Sequence, residues 1–238
     1  MAVNRYFANT HLAEAVDISA GEVVDVHKID KFGYNSAVGN TSYETIWDGN
    51  NLYTYIETAG TATVTSSNTA ADNGSTVEIQ GLDANYDQVS ETLTVGGSAG
   101  TVEFYRVHRA RVVTPNTGSA NVGTVTVTVD SKSAAIISPT QGQTLMCVYT
   151  IPRRYTGYLL QLDIGSSKDV ENTIRVVIRN GASEAFNTKA FITKRGGFSE
   201  KNFKIPLEIS QKNDIEVQAI SSAPSQISSG FELILCKK

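Results

Sequence analysis

The sequence predicts an all-β protein of two tandem antiparallel β-sandwich domains, the C-terminal one jelly-roll-like, and three observations carry that prediction. Periodic segments alternate apolar and polar residues with period two, and turn residues punctuate them at strand-like spacing. Charged residues make up only 18% of the chain, and Gly, Thr, Ser and Asn fill the gap, a balance that suits strands and tight turns. At 238 residues the chain can bury roughly 70–75% of its unfolded surface, so it needs no disulfide or metal to hold a core.

Residues 1–32 read as an N-terminal arm. A brief helix around Leu12 to Val16 and strand pieces at residues 16–18 and 23–26 are expected, joined by Ser19-Ala20-Gly21. The arm has too little apolar surface to fold alone, which suits it either to add to a partner's sheet or to pack back on its own domain. Residues 33–130 are expected to form the first sandwich. Thr45-Ile46-Trp47 and residues 52–56 flank Asp48-Gly49, a strong hairpin signal. Thr76–Leu82 should pair with residues 89–95 across a polar loop, and Gly96-Gly97-Ser98-Ala99-Gly100 turns the chain into the Val-, Phe- and Tyr-rich residues 101–113. Residues 123–130 then alternate Thr and Val without a fault.

Residues 131–143, with Ser, Lys, Pro and Gly, read as a linker. Residues 144–238 hold seven or eight further alternating segments, the count expected of a jelly-roll-like sandwich. A single continuous β fold is the competing architecture.

The sequence offers no catalytic setting, and the chain is read as non-enzymatic, without cofactor or metal. His11, His27 and His108 stand at no metal-ligand spacing, and neither a helical His-Glu-x-x-His nor a Gly-x-Ser-x-Gly elbow occurs. Asp83-Ala84-Asn85-Tyr86-Asp87 imitates the start of a calcium loop. Gln88 then occupies the place of the sharp-turn Gly and Thr94 that of the bidentate Glu, leaving a polar hairpin loop or a weak surface cation site. A net charge of −4 argues against direct nucleic-acid binding. No stretch approaches the roughly 20 apolar residues of a membrane span, and no secretory signal is read at the N-terminus. Folding in a reducing cytoplasm is expected, with Cys147 and Cys236 as free thiols inside apolar strands rather than a disulfide.

Two residue groups invite a functional reading. Arg106, His108, Arg109 and Arg111 concentrate charge on one strand, with Arg106 and His108 facing one side and Arg109 and Arg111 the other. Such a strand is a charge-protected edge or a docking surface for an acidic protein. Tyr43, Trp47, Tyr53 and Tyr55 either fill a sandwich core or form an aromatic platform for sugar rings.

Several blocks carry a family resemblance. Gly33-Tyr34-Asn35, Thr41-Ser42-Tyr43-Glu44-Thr45-Ile46-Trp47-Asp48-Gly49, Val77-Glu78-Ile79-Gln80-Gly81-Leu82-Asp83-Ala84-Asn85-Tyr86, Glu91-Thr92-Leu93-Thr94 and Phe104-Tyr105-Arg106-Val107-His108-Arg109-Ala110 together resemble structural proteins of tailed bacteriophages, especially marine ones. Lys212-Asn213-Asp214-Ile215-Glu216-Val217-Gln218-Ala219 and Ser229-Gly230-Phe231-Glu232-Leu233-Ile234-Leu235 fit the same group. The resemblance implies a virion component made in the host bacterial cytoplasm, whose partners are capsid, neck or tail proteins. A head-decoration or knob protein is the leading expectation, and a tail or fibre component binding host-surface glycan is the alternative. A homo-oligomer, plausibly a trimer, is expected from the surplus of large apolar residues after residue 150.

Overall fold

A computed structural model describes residues 16–238, and apart from two short helical turns the regular structure is antiparallel β. Residues 1–15, with most of the helix expected around Leu12, lie outside the described residues. Residues 16–19 form a helical turn instead of a strand, with the Ala20 N–H donating to the Val16 carbonyl at 2.8 Å.

The largest sheet has seven strands in the order β1 (Val26–Val38), β15 (Ser225–Lys237), β12 (Tyr155–Arg179), β14 (Asp214–Ser221) and β11 (Val148–Thr150). Strand β13 (Phe186–Ile209) lies along β12, and the two-residue β2 (Glu44–Thr45) joins β14. Long β12 serves two leaves. Its first half pairs with β15 and its second half with β14, while β13 follows it throughout.

The leaves part at a bulge. Ser166 opposes Gly197 and Glu171 opposes Arg195, so four residues of β12 stand against the single Gly196 of β13, and the three extra ones buckle out and turn the strand from one leaf into the other. Gly196 and Gly197 take positive φ, +24° and +66°, and let β13 follow that corner without a Cβ clash. Period-two alternation then sends Leu162, Ile164, Phe231 and Leu233 inward from one leaf and Ile174, Val176, Ile215 and Val217 from the other, into one core. Burying each such side chain stabilises by roughly 1.5–3 kcal/mol.

A second core lies within three smaller sheets. These are β10 (Lys132–Ile137), β9 (Val125–Val129) and β4 (Thr63–Ser66); β3 (Gly60–Thr61) with β7 (Glu103–Phe104); and β6 (Gln88–Thr94), β5 (Thr76–Leu82) and β8 (Arg106–Thr114). Val77, Ile79 and Ala110 meet Val64, Val125, Val127 and Ile137 in its centre. The expected pairing of Thr76–Leu82 with the segment after the polar loop is present, from Thr76↔Thr94 to Leu82↔Gln88.

Three expectations need correction. The last part of the arm is not free: β1 pairs with β15 from Val26↔Cys236 to Val38↔Ser225, so residues on both sides of the expected boundary build the C-terminal sheet. The expected linker contains β10, which hydrogen-bonds β9 through Asp130 and Ser131, both at positive φ. The Asp48-Gly49 turn forms, but residues 52–56 are not a strand. The Trp47 ring folds over Gly49, where a Cβ would lie 2.1 Å from it, and its indole N–H donates to the Asn51 carbonyl at 2.9 Å.

Candidate functional site

The residues singled out in the sequence converge, but inside the molecule. Strand β14 is buried on both faces. Ile215, Val217 and Ala219 enter the C-terminal core, while Asp214, Glu216 and Gln218 point the other way and are buried there, against Arg106 of β8, Tyr55 and Arg175 respectively. A polar seam thus joins the two cores.

Arg106 and Asp214 anchor it. Arg106 is 2% exposed and Asp214 0%, and the guanidinium grips the carboxylate twice, Nε–Oδ1 at 2.9 Å and Nη2–Oδ2 at 3.3 Å. Arg179 from β12 donates to Asp214 Oδ2 at 3.0 Å and the Thr150 hydroxyl to Oδ1 at 2.6 Å. Arg106 spends its remaining donor, Nη1, on the carbonyls of Ile56 and Tyr105. Its plane lies 4.2 Å from the Tyr105 ring centre and Arg179 lies 4.6 Å from that of Tyr55, so aromatic faces cover both cations. Burial works against the Arg106 charge, but the Asp214 carboxylate outweighs it and raises the pKa.

Glu216 sits one step along. It accepts hydrogen bonds from the Thr45 hydroxyl, from Gln218 Nε2 at 2.8 Å and from the Tyr55 hydroxyl at 3.0 Å. Burial still pushes its carboxyl above the usual range, against those three donors. Burial, followed by the neighbouring Glu216 charge, keeps the Tyr55 phenol protonated.

The expected docking surface is therefore split. Arg106 and His108 point inward: Arg106 meets Asp214 of the same chain, while His108 packs against Thr150 and Tyr149 near Lys31. Arg109 and Arg111 point out, held by Gln143 and Glu78. β8 ends its own three-stranded sheet, but residues 142–144 bond along its outer side, with the Val112 N–H donating to the Gly142 carbonyl at 2.7 Å and the Thr144 N–H to the Ala110 carbonyl at 2.9 Å, so it is not an open edge. The sugar-platform reading of the aromatics does not stand. Trp47, Tyr53 and Tyr55 are 3%, 4% and 7% exposed, stacked edge to face at 5.0 Å between successive rings, and no ligand could reach their faces. Tyr43 is half-buried with its ring covered by Arg175 at 3.7 Å.

Sequence reasoning missed Asp214, Glu216 and Arg179. The signal was the alternation Asp214-x-Glu216-x-Gln218 opposite Ile215-x-Val217-x-Ala219, a polar face complementary in charge to the Arg106 face of β8.

In the Asp83–Asp87 loop, Asp83 Oδ1 accepts the backbone N–H groups of Asn85 and Asp87 at 2.8 and 2.9 Å, and Asp87 pairs with Arg153. The carboxylates thus close the loop itself. Among the described residues no group of three His, Cys, Asp or Glu is placed to hold a metal ion. Cys147 and Cys236 are free thiols; burial pushes the Cys147 thiol up to about 12.

His108 adds a pH dependence. Its Nε2 accepts the Thr150 N–H at 3.3 Å, its ring lies 4.2 Å from Tyr149, and burial, then the charges of Lys31 and Arg106, hold its pKa well below the ordinary 6.5. As pH falls through 6.5 the unfolded chain gains a proton that the native chain refuses, so stability falls by up to about 2 kcal/mol between pH 6.5 and 5. Glu216, whose pKa is raised, has the opposite sign and partly offsets this. Urea midpoints across that range should therefore drop more steeply for the native sequence than for His108→Gln; parallel curves would refute the assignment.

No family model matches the chain, and no curated protein matches it. Among solved structures, a chain from the structure of infectious bursal disease virus Gt strain is similar at 11% identity and a TM-score of 0.24, over 90% of this chain and 73% of that one. A likeness at that TM-score carries no argument about function.

Proposed function

We propose that the chain is a non-enzymatic structural component of a virion, a head-decoration or other accessory protein of a tailed bacteriophage that assembles through strand β13. The observation that carries this reading is the free edge of β13. It runs from Phe186 to Ile209 with β12 on one side and, among the described residues, no strand on the other. Its exposed large apolar side chains are Phe186 at 49%, Phe191 at 62%, Phe198 at 71% and Ile205 at 85%.

A long edge with exposed phenylalanines is a liability in a free monomer and an asset in an assembly. The occupant that fits is a second copy of this chain, adding strand to strand or covering Phe186 and Phe191. The sequence blocks that resemble tailed-phage structural proteins support the same reading. The docking role expected of the N-terminal arm narrows to residues before Val26, because β1 is part of the main sheet.

Light scattering on the purified protein tests the assembly. A mass well above 25.6 kDa that falls to the monomer in a Phe191→Asp, Ile205→Asp variant is expected, and a native monomer at all concentrations refutes it. Mass spectrometry of purified particles tests the virion role: hundreds of copies indicate head decoration and a few tens indicate neck, tail or fibre.

A further inference from the structure

Strand register creates a second surface, on the outer face of the leaf formed by β1, β15, β12 and β13. Tyr34, Ser228, Gly165 and Phe198 stand side by side across the four strands, and Phe32, Gly230, Asp163 and Glu200 form the next row. Gly165, Ser228 and Gly230 leave the middle of the face almost without side chains. Aromatic rings stand at both margins, with Phe32 45% exposed and Phe198 71% exposed. The result is a trough of about 610 Å³, within the size range of small-molecule clefts.

We propose that this trough binds a neutral oligosaccharide. Tyr34 and Phe198 are three strand spacings apart, about 14 Å, wide enough for a short run of linked sugar rings lying across the strands. The apolar faces of such rings would stack on Phe198 at one margin and on Phe32 and Tyr34 at the other. The floor supplies hydroxyl partners. Asp163 Oδ1 accepts from Gln161 Nε2 at 2.9 Å, while Oδ2 receives no hydrogen bond among the described residues and is open to a sugar hydroxyl. The Ser228 hydroxyl is exposed beside it.

Asp163 is the one charged residue among those lining the trough, and its carboxylate selects against carboxylated or sulfated glycans. The floor is also intolerant of bulk. A Cβ at Gly165 would sit 2.6 Å from Ser228 Oγ, and one at Gly230 would sit 3.2 Å from the Lys31 carbonyl. This site is separate from the buried aromatics around Trp47, and it does not depend on the virion reading.

Saturation-transfer NMR on the full chain with maltotriose, cellotriose and triacetylchitotriose, at up to roughly 10 mM to capture millimolar affinity, tests the inference. At least one trisaccharide should bind. Phe198→Ala should weaken it at least about tenfold, as expected of an aromatic anchor. Ser228→Tyr, which fills the trough without truncating anything, should abolish it. Leu52→Ala, on an exposed apolar side chain outside both the trough and β13, should leave it unchanged. Failure of all three sugars to bind overturns the proposal, as does binding that survives both Phe198→Ala and Ser228→Tyr. Binding restricted to acidic glycans overturns it too. So does a Phe198→Ala variant that only lowers the oligomeric mass, since a second copy would then cover the face.

Discussion

Asp214→Ala is expected to cost about 3–5 kcal/mol of stability, because it leaves the buried Arg106 guanidinium without its anion and Arg179 with only the exposed Glu184 carboxylate. Arg106 and Arg179 both converge on this carboxylate, and Thr150 donates to it as well. Neither Arg106 nor Arg179 can turn to water, being 2% and 6% exposed, and deprotonation offers an arginine no escape. For a chain of this size the loss corresponds to roughly 10–15 °C in melting temperature. Arg109→Ala, on the outward face of the same strand as Arg106, should change stability by less than about 0.5 kcal/mol. Thermal denaturation followed by circular dichroism measures both, and a drop below about 1 kcal/mol for Asp214→Ala would mean the seam relaxes around water. Replacing the whole set by apolar residues is a different experiment and need not destabilise, since desolvation offsets much of a buried pair's attraction.

Gly81→Ala is expected to be nearly as damaging, through geometry alone. A Cβ at residue 81 would lie 2.0 Å from the Arg106 carbonyl oxygen and 3.0 Å from its carbonyl carbon. Both are backbone atoms, so β5 and β8 must part at the point where their register already shifts, between Gln80 and Gly81. Overpacking of this kind costs about 1–3 kcal/mol and more when backbone must move. Displacing Arg106 adds to it, because the guanidinium would be drawn off Asp214. Gly118→Ala is the contrasting case, with φ at +69° but nothing within 4 Å; it should cost only the roughly 1–2 kcal/mol of left-handed strain. Urea unfolding separates the two, and equal losses would show that contact at Arg106 is not the cause.

The sequence by itself determined what local chemistry controls. Period-two alternation identified β5, β6, β9, β14 and β15 as strands, and the polar loop at Asp83 set the β5–β6 pairing. In β8 the expected alternation survives only as burial: Arg106 and His108 are buried and Arg109 and Arg111 exposed, but Val107, between the first two, is buried too, where the register opposite Gly81 shifts. The sequence pattern merged too little after residue 155, where β12 and β13 continue through bulges that look like interruptions, and it took the turn-rich residues 131–143 for a linker although six of them form β10.

Only the tertiary structure decided what covers each face. Periodicity tells which side chains share a surface, not whether water, a partner or the chain's own other core lies against it. Arg106 and His108 therefore read as part of a docking patch until Asp214, more than a hundred residues away, is seen to take the Arg106 contact and Tyr149 and Thr150 to cover His108. The four aromatics read as a platform until the smaller sheets close over three of them and Arg175 over Tyr43. The trough arises the same way, from Tyr34, Gly165, Phe198 and Ser228. Those residues are unremarkable in four separate strands, and long-range register alone sets them in one row.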